Sequence, residues 1–598
     1  MRKTLLALAF TACIYSASSQ GNLPIGFTPQ EKEAIEHGDF MISSSRGITT
    51  PPEGSHLRAA AEWEEIQALT IAWTSYPGIL KQIVAAARLE TQVIILTQDP
   101  AATESYLMSS NIGGAAFTNM DNITLVEGDF DSIWIRDYGA NPVYTEEVDG
   151  LVLVDWIYNR PTRPNDDASP ELIGAELGLD VYTINEAPTD LVNTGGNWMS
   201  DGFGTAFASN LILDENEAGN PYGVTTKTEE DIDNIANDFL GIDRYIKMET
   251  LPYDGIHHID MHMKLLDEET LLVGEYPDGV ADGPQINANI EYVLSNYESK
   301  FGTPYKVIRI PMPDSQSGLW PSSQPTAGYY RTYSNAVFVN KTIIFPTYRE
   351  QYDTTAFRIW GEAMPGYTLV GIDSDNQEEP IIAASGAIHC ITHSVSVEDP
   401  LLISHQPLAD TDNSTTPYEV VAYVRHRSGI SNATLYWKTS LGGTYTAVDM
   451  TNIGSDNWQG FIPAQPEGTI IYYYIQGESV SGKVQVRPMS APEGYWKFRI
   501  GEAVLSVTPE LGFEFSKVFP NPASAITCIP LTFAKATEGK IELVNAMGQV
   551  VETIFTGQFP LGEKRYFFDA SSKASGMYSI RVSTDKATSA YPLMILSN

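Results

Sequence analysis

Hydrophobic and polar residues follow two different patterns along this chain. From residue 59 to about residue 395, short β-rich runs, such as those at 68–73 and 92–96, flank stretches with helical spacing. The clearest helical stripe consists of Ile286, Ile290, Val293, Leu294 and Tyr297. Strands and helices that alternate over so long a stretch predict an α/β domain of catalytic size, which we place at residues 56–400.

After residue 405 the pattern changes to short alternating runs without helical spacing. Four such runs, separated by Gly, Ser, Asn and Asp, lie at residues 418–425, 434–438, 458–462 and 470–476. They predict a β-sandwich over residues 401–502 that is immunoglobulin-like in size but lacks the Cys–Trp–Cys signature. Further runs predict a second all-β sandwich over residues 515–598. The predicted fold class is thus α/β, followed by two all-β sandwich domains.

The N-terminus has the features of a secretory signal peptide at residues 1–20. Arg2 and Lys3 are followed by an apolar run at 5–15 and by small residues that suit a cleavage site. A lipid-bearing Cys13 is the alternative interpretation. Residues 21–55 are polar and predict a leader arm and linker. Since no later segment is apolar enough to cross a bilayer, we expect an exported protein without a membrane span.

The charge of the chain narrows the classes of partner. It has 75 acidic and 36 basic residues, a formal net charge of -39. This excess disfavours nucleic acid and anionic membrane surfaces as main partners. It suits a cationic substrate, although a solvated acidic surface accounts for most of these charges.

The three cysteines do not predict a disulfide framework. Cys13 lies in the signal peptide, and Cys390 and Cys528 fall in different predicted domains. Cys528 lies in a β-like run and is predicted to be buried and inert. The function of Cys390 depends on the polar residues that accompany it in the fold.

Four polar clusters interrupt the apolar sequence of the α/β domain, where charge is costly without a role. They lie at residues 131–139, 194–202, 255–262 and 386–393. In the first cluster, Trp134 suits a pocket wall and Asp137 a cation-binding group, while an Arg136–Asp137 surface pair is equally compatible. In the second, Gly195 and Gly196 permit a close backbone approach, positive φ or a tight turn.

The third and fourth clusters contain the candidate proton-transfer groups and nucleophile. In a strand, His258 and Asp260 would share a face, with His262 further along. These three residues suit a zinc site; alternatively, Asp260 binds a cationic substrate and His258 is the general acid and base. Cys390, near the end of a strand and after a glycine turn, is well placed for an exposed nucleophile.

One Cys, one His and two Asp are the groups needed to hydrolyse a guanidinium carbon. Two carboxylates bind the planar cation through charge-assisted hydrogen bonds. A thiolate attacks the carbon, and a histidine protonates the departing nitrogen and then activates water. This chemistry predicts an enzyme without a metal or other cofactor.

The motifs 134–139, 195–197, 258–260 and 388–390 occur in the order found in the guanidino-group-modifying enzymes, which include agmatine deiminase and bacterial peptidylarginine deiminase. The stretch 58–64 also resembles their opening block. The resemblance implies a pentein fold, a five-bladed ββαβ propeller. It implies the following roles: Asp137 and Asp260 as guanidinium binders, His258 as acid and base, Cys390 as nucleophile, Trp134 as pocket wall and Asn335 as a polar residue near the thiol.

Three C-terminal blocks, at 518–523, 541–549 and 575–582, resemble the sorting domain of type IX secretion cargo. The resemblance implies the type IX secretion machinery as a partner. It also implies that the protein is secreted or attached to the outer-membrane surface.

The segment 154–167 resembles the part of bacterial peptidylarginine deiminase whose two arginines hold the carboxylate of a C-terminal arginine. Arg160 and Arg163 would take this role, because a guanidinium meets a carboxylate through two hydrogen bonds. In two departures from that family, Thr162 separates the arginines and Gly255 replaces an aromatic residue. We predict that peptidyl-arginine is converted to citrulline. The alternatives are agmatine or free-arginine deimination, a zinc hydrolase and a non-catalytic surface adhesin.

Overall fold

The computed structural model describes residues 29–37, 47–322, 329–501 and, with short gaps, 513–595. The predicted signal peptide and Cys13 lie outside the described residues. Part of the predicted leader arm is a helix, Pro29–His37. Over the ranges that the structure describes, no helix has the length and apolarity needed to cross a membrane.

The described residues between 58 and 396 form five small β-sheets that repeat one arrangement. In each sheet an antiparallel pair adjoins a parallel pair. In spatial order the strands are His393–Ser396, Ile66–Ala72, Gln92–Thr97 and Ile123–Glu127; Arg58–Ala59, Asn141–Tyr144, Leu151–Tyr158 and Val181–Ile184, with Val192–Asn193 also paired to Leu151–Tyr158; Met199–Ser200, Thr205–Ser209 and Arg244–Met248; Met263–Leu265, Thr270–Glu275 and Lys306–Pro311; Val337–Val339, Thr342–Thr347 and Thr368–Asp373.

Helices connect the parallel strands of each sheet, as a parallel pair requires a crossover connection. They are Pro77–Ala87, Pro164–Ala168 with Pro170–Leu177, Leu211–Asp214 with Glu229–Leu240, Gly283–Asn296, and Glu350–Ala363. Two further helices are Pro100–Leu107 and Ile135–Tyr138, and four segments are 3-10 helices: Gly195–Asn197, Ile259–Met261, Ile381–Ala384 and His389–Ile391. The prediction of a mixed α/β fold is therefore confirmed.

The crossover helices bury one face, as the sequence predicts. Gly283–Asn296 buries Ile286, Ile290 and Val293, which confirms most of the predicted stripe. Leu294 is 38% exposed and Tyr297 lies beyond the helix, so the stripe is narrower than predicted.

The two ends of the α/β region meet in one sheet. His393–Ser396 pairs antiparallel with Ile66–Ala72, and it follows Cys390 directly in sequence. Hydrogen bonds between these strands therefore hold the turn with Cys390 against the beginning of the region. The Thr70 hydroxyl adds a bond to the carbonyl of His393 (3.1 Å).

Beyond residue 396, every element of regular secondary structure in the described residues is a β-strand, as the C-terminal pattern predicts. Two antiparallel sheets share one buried apolar cluster; their strands are Leu402–Ser404, Tyr418–Arg425, Asn457–Ile462 and Thr451–Gly454, and Thr446–Asp449, Ile430–Lys438, Ile470–Ser479, Val484–Arg487 and Trp496–Arg499. Two more share a second cluster; their strands are Phe513–Phe515, Ile526–Phe533 and Gly562–Asp569, and Val550–Phe559, Thr537–Asn545, Gly576–Thr584 and Thr588–Ile595. Cys528 is buried in this last part.

Candidate active site

Each of the five sheets has a short turn just before the first strand of its antiparallel pair, and these turns carry the predicted site residues. Asp137 lies in Ile135–Tyr138, Asp260 in Ile259–Met261 and Cys390 in His389–Ile391. Asn335 precedes Val337–Val339, and Gly195–Asn197 precedes Met199–Ser200. The repeated arrangement explains how residues that are far apart in sequence come together.

Cys390 lies in contact with Asn335 and Asp260. Asn335 Nδ2 is 3.3 Å from Cys390 Sγ, and Asp260 Oδ2 is 3.7 Å from the same sulfur. The Asn335 Oδ1 atom accepts a hydrogen bond from the backbone N–H of His389 (2.9 Å). Asn335 therefore holds both the thiol and the turn on which it lies.

Asp137 and His258 form a second group. His258 Nδ1 is 3.6 Å from Asp137 Oδ1, and that oxygen also accepts the backbone N–H of Gly196 (3.1 Å). The Thr194 hydroxyl lies 3.4 Å from His258 Nε2. A side chain at Gly196 would collide with the His258 ring, so the glycine serves close approach and not a positive φ.

Both carboxylates keep one oxygen available in the buried site. Asp137 and Asp260 are almost fully buried, as are His258 and Cys390. Asp137 Oδ2 and Asp260 Oδ1 are buried and make no hydrogen bond to any described residue. An unpaired buried carboxylate oxygen is costly, so this pair of oxygens is suited to a cation with N–H donors.

The electrostatics of the site depend on whether a cation is bound. Burial, together with the charges of Asp260 and Asp137, raises the pKa of the Cys390 thiol well above its usual range. Burial also raises the pKa of Asp137, against the charge of His258. The raised pKa favours the thiol form of Cys390, and a bound cation would favour the thiolate.

The remaining predicted residues surround these groups. Trp134 is buried, and its ring fills the space beside Gly386 that a side chain there would need. Arg160 is buried and its charge acts on Asp137. Arg163 is half-buried, and its guanidinium donates to the Tyr158 hydroxyl (3.3 Å).

Sequence reasoning gave no site role to Glu62, Arg136 or His389. His389 lies between Asp260 and Glu62, and Arg136 Nη1 is 2.7 Å from Glu62 Oε1. The interpretation of Arg136 and Asp137 as a surface ion pair is wrong. Arg136 pairs with Glu62, and both Arg136 and Asp137 are buried. The sequence signal that could have indicated a site role is that Glu62, Arg136 and His389 lie in the motifs 58–64, 134–139 and 388–390.

Two local predictions are also wrong. Residues 259–261 form a 3-10 helix and not a strand, and so does the turn His389–Ile391 that contains Cys390. Cys390 is fully buried and not exposed. Both ring nitrogens of His262 are buried without a hydrogen-bond partner among the described residues, and burial lowers the pKa of His262 to about 4. No group of three or more His, Cys, Asp and Glu within the described ranges is arranged to hold a metal ion.

Asp254, which precedes the segment of His258, should make stability depend on pH. Burial raises the pKa of Asp254 to about 8, far above about 3.9 in an unfolded chain. Between these values the folded state binds the extra proton, so its stability falls as pH rises towards about 8.

We expect Asp254→Asn to remove this dependence. The unfolding temperature of wild type should fall more than that of the variant between about pH 5 and about pH 8, and differential scanning calorimetry measures both. Asp121→Asn, at an exposed position, is the control that should follow wild type. Parallel curves for Asp254→Asn and wild type would contradict this assignment.

The family of the chain follows from comparison with known proteins. Residues 58–395, more than half of the chain, match the family model of Porphyromonas-type peptidyl-arginine deiminase. The chain belongs to this family. Residues 517–595 match the secretion system C-terminal sorting domain, which indicates export to the cell surface or the medium. The resemblances drawn from the motifs are thus confirmed.

Two curated relatives align over nearly the same share of this chain. A provisionally named agmatine deiminase of Marinomonas sp. (strain MWYL1) is 24% identical over 378 residues, 59% of this chain and 97% of the relative. Another, of Shewanella baltica (strain OS185), is 26% identical over 376 residues, 58% of this chain and 96% of the relative.

Solved structures of two related proteins also align. A provisionally named arginine deiminase from Porphyromonas gingivalis has a TM-score of 0.48 at 18% identity, covering 57% of this chain and 99% of the other. Agmatine deiminase of Enterococcus faecalis has a TM-score of 0.47 at 18% identity, covering 58% and 100%.

Proposed function

We propose that this deiminase hydrolyses the guanidinium group of peptidyl-arginine, giving citrulline and ammonia, with Cys390 as the nucleophile. One observation carries the proposal. Two buried carboxylates, Asp137 and Asp260, each have an oxygen without a partner among the described residues, beside a buried free thiol. A planar cation with several N–H donors would satisfy both oxygens.

The reaction begins when the substrate cation enters. Its charge offsets those of Asp137 and Asp260, which favours the Cys390 thiolate. The thiol gives its proton to His258, the sulfur forms a bond to the guanidinium carbon, and His258 passes that proton to the nitrogen that leaves as ammonia. This step produces a covalent thiouronium on Cys390.

Water completes the cycle. His258 takes a proton from water, the oxygen bonds to the same carbon, and the carbon–sulfur bond breaks. The products are the ureido group of citrulline and the free thiol, and no electrons are exchanged with a cofactor. Asn335, which touches the sulfur, is suited to orient the thiol during both steps, and Trp134 to form a wall of the pocket.

Arg160 favours a substrate with a carboxylate over agmatine. Its buried charge lies close enough to Asp137 to influence that carboxyl. A substrate carboxylate would pair with it, whereas agmatine brings a second cation and no carboxylate. We infer that Arg160 binds the C-terminal carboxylate, and that Arg163, which is less deeply buried than Arg160, contributes less.

Arg160→Gln should therefore change substrate preference and leave the chemistry intact. We expect KM for a peptide ending in arginine to rise about 30-fold or more, since a buried charge pair is lost. KM for agmatine should stay the same or fall. Colorimetric detection of the ureido product measures both, with Arg163→Gln as the matched variant of smaller effect. Turnover of agmatine alone by wild type would overturn the peptide assignment.

We also propose how the chain is organised. Residues 1–20 are the signal peptide, 21–55 the leader arm and linker, 56–400 the catalytic domain, 401–502 an Ig-like β-sandwich and 515–598 the sorting domain. The five sheets of the catalytic domain are proposed to be the blades of a pentein propeller. The repeated ββαβ order and the turns that carry the site residues support this arrangement.

A further inference from the structure

Asp260 begins a row of three contacting side chains that continues through His389 to the partly buried Glu62. His389 Nδ1 is 2.7 Å from Asp260 Oδ2, and His389 Nε2 is 2.6 Å from Glu62 Oε1. His389 and Asp260 are fully buried, and the Glu62 side chain is 22% exposed. The histidine therefore meets a carboxylate oxygen at each ring nitrogen.

This geometry requires a proton between each nitrogen and its carboxylate. A neutral imidazole has one N–H donor and one acceptor, so one of its nitrogens would face a carboxylate oxygen without a hydrogen. The row must therefore hold an additional proton, on His389 or on one of the two carboxylates.

The surrounding charges keep that additional proton off the two carboxylates. Arg136 Nη1 lies 2.7 Å from Glu62, and Lys264 Nζ also contacts Glu62. Although burial pulls the pKa of Glu62 upward, the charges of Arg136, His389 and Lys264 hold it well below its usual range. Burial likewise opposes ionisation of Asp260, but its bond to His389 lowers the pKa of that carboxyl. Both carboxylates are thus ionised.

We propose that His389, held by Glu62, is a positioning residue that keeps Asp260 ionised and directs its free oxygen at the substrate cation. His389 binds Asp260 Oδ2, so that Oδ1 is left for the guanidinium. The inference rests on the proposed function, because it assigns Asp260 to the cation.

The same contacts position the nucleophile. His389 adjoins Cys390, and its ring is fixed between residues that come from two distant segments. Its backbone N–H is held by Asn335, which also touches the sulfur. Arg136 Nε lies 3.4 Å from the His389 carbonyl. Loss of the His389 ring would therefore affect both the charge of Asp260 and the placement of Cys390.

Two variants test the proposal in the full-length enzyme. His389→Asn removes the imidazole ring and its contact with Glu62, and Glu62→Gln removes the carboxylate charge that holds the ring. His393→Asn is the matched control: His393 is a buried histidine three residues further on, and burial keeps its pKa well below its usual range. Among the described residues, it is the ring of His389, and not that of His393, that bonds to Asp260 and Glu62.

The first readout is the pH profile of kcat/KM for an arginine-containing peptide. In His389→Asn and Glu62→Gln, Asp260 should protonate more easily, so the acidic limb should move up by about one pH unit or more. In His393→Asn it should stay in place. If the acidic limb of the kcat/KM profile stays in place in both His389→Asn and Glu62→Gln, the proposal is overturned, even if these variants are less stable than wild type.

The second readout does not depend on turnover. 2-Chloroacetamidine carries an amidinium, whereas 2-chloroacetamide is neutral; in each, the Cys390 sulfur forms a thioether and chloride leaves. The ratio of the two alkylation rates should fall about tenfold in both test variants, because the cation site has lost an ionised carboxylate. An unchanged ratio would contradict the proposal. If wild type converts no arginine compound but the ratio still falls, the positioning role stands and the proposed function fails.

Discussion

Replacing Cys390 by alanine is expected to abolish deimination. The sulfur is the only protein atom that bonds to the guanidinium carbon in the proposed mechanism, so kcat should fall by on the order of 10⁴-fold or more. Binding of the substrate cation to Asp137 and Asp260 should persist. Product formation measures the first effect, and isothermal titration calorimetry with an arginine peptide measures the second.

Cys528 offers a matched control for this experiment. It is likewise a buried free cysteine, but it lies in the strand Ile526–Phe533 of the C-terminal region. Cys528→Ala should therefore retain wild-type kcat. Undiminished activity of Cys390→Ala would exclude Cys390 as the nucleophile, and the zinc hydrolase and the adhesin interpretations would need to be reconsidered.

Removing either carboxylate charge should produce the second-largest effect. Asp137→Asn and Asp260→Asn keep the shape of the side chain but leave the substrate cation with one buried partner. Loss of one member of a buried charge pair costs about 2–5 kcal/mol, so kcat/KM should fall by about 30-fold to several thousand-fold in each variant. Steady-state kinetics with the arginine peptide measures this loss.

Asp201→Asn separates this effect from general damage. Asp201 is also fully buried, but its Oδ1 accepts the backbone N–H groups of Phe203 and Thr205 in a turn. Its replacement should lower the unfolding temperature and spare kcat/KM of the folded enzyme. If the Asp137 and Asp260 variants behave in the same way, the two carboxylates serve only the fold.

Much of the fold follows from periodicity in the sequence. The runs at 68–73 and 92–96 coincide with the strands Ile66–Ala72 and Gln92–Thr97, and the run 418–425 with Tyr418–Arg425. Such runs are long enough for the alternation of apolar and polar residues to indicate a strand. The turns around Asp260 and Cys390 are only three residues long, too short for any period, and there the strand prediction is wrong.

The candidate site residues could be predicted, but not their partners. Asp137, Asp260 and Cys390 stand out as polar residues within apolar sequence, and all three are buried in the structure. The pairing of His389 with Glu62 joins residues that are far apart along the chain, and only the fold brings them together. Adjacent side chains usually point in different directions, which explains why Arg136 pairs with Glu62 and not with Asp137.

Gly196 shows how one residue type can have several meanings in sequence. A glycine pair is compatible with positive φ, a tight turn or close approach. In the structure, Gly195 and Gly196 form a 3-10 helix, and the space of a side chain at Gly196 is occupied by His258 and Asp137. Only the tertiary fold distinguishes these possibilities.

The most direct test of the central claim is to trap the covalent intermediate. Enzyme that is turning over an arginine peptide is quenched in acid and digested, and the fragment with Cys390 is examined by mass spectrometry. We predict that this fragment carries the substrate minus ammonia, that Cys390→Ala carries no adduct, and that the Cys528 fragment is unmodified. An adduct on another residue, or continued citrulline formation by Cys390→Ala, would contradict the account.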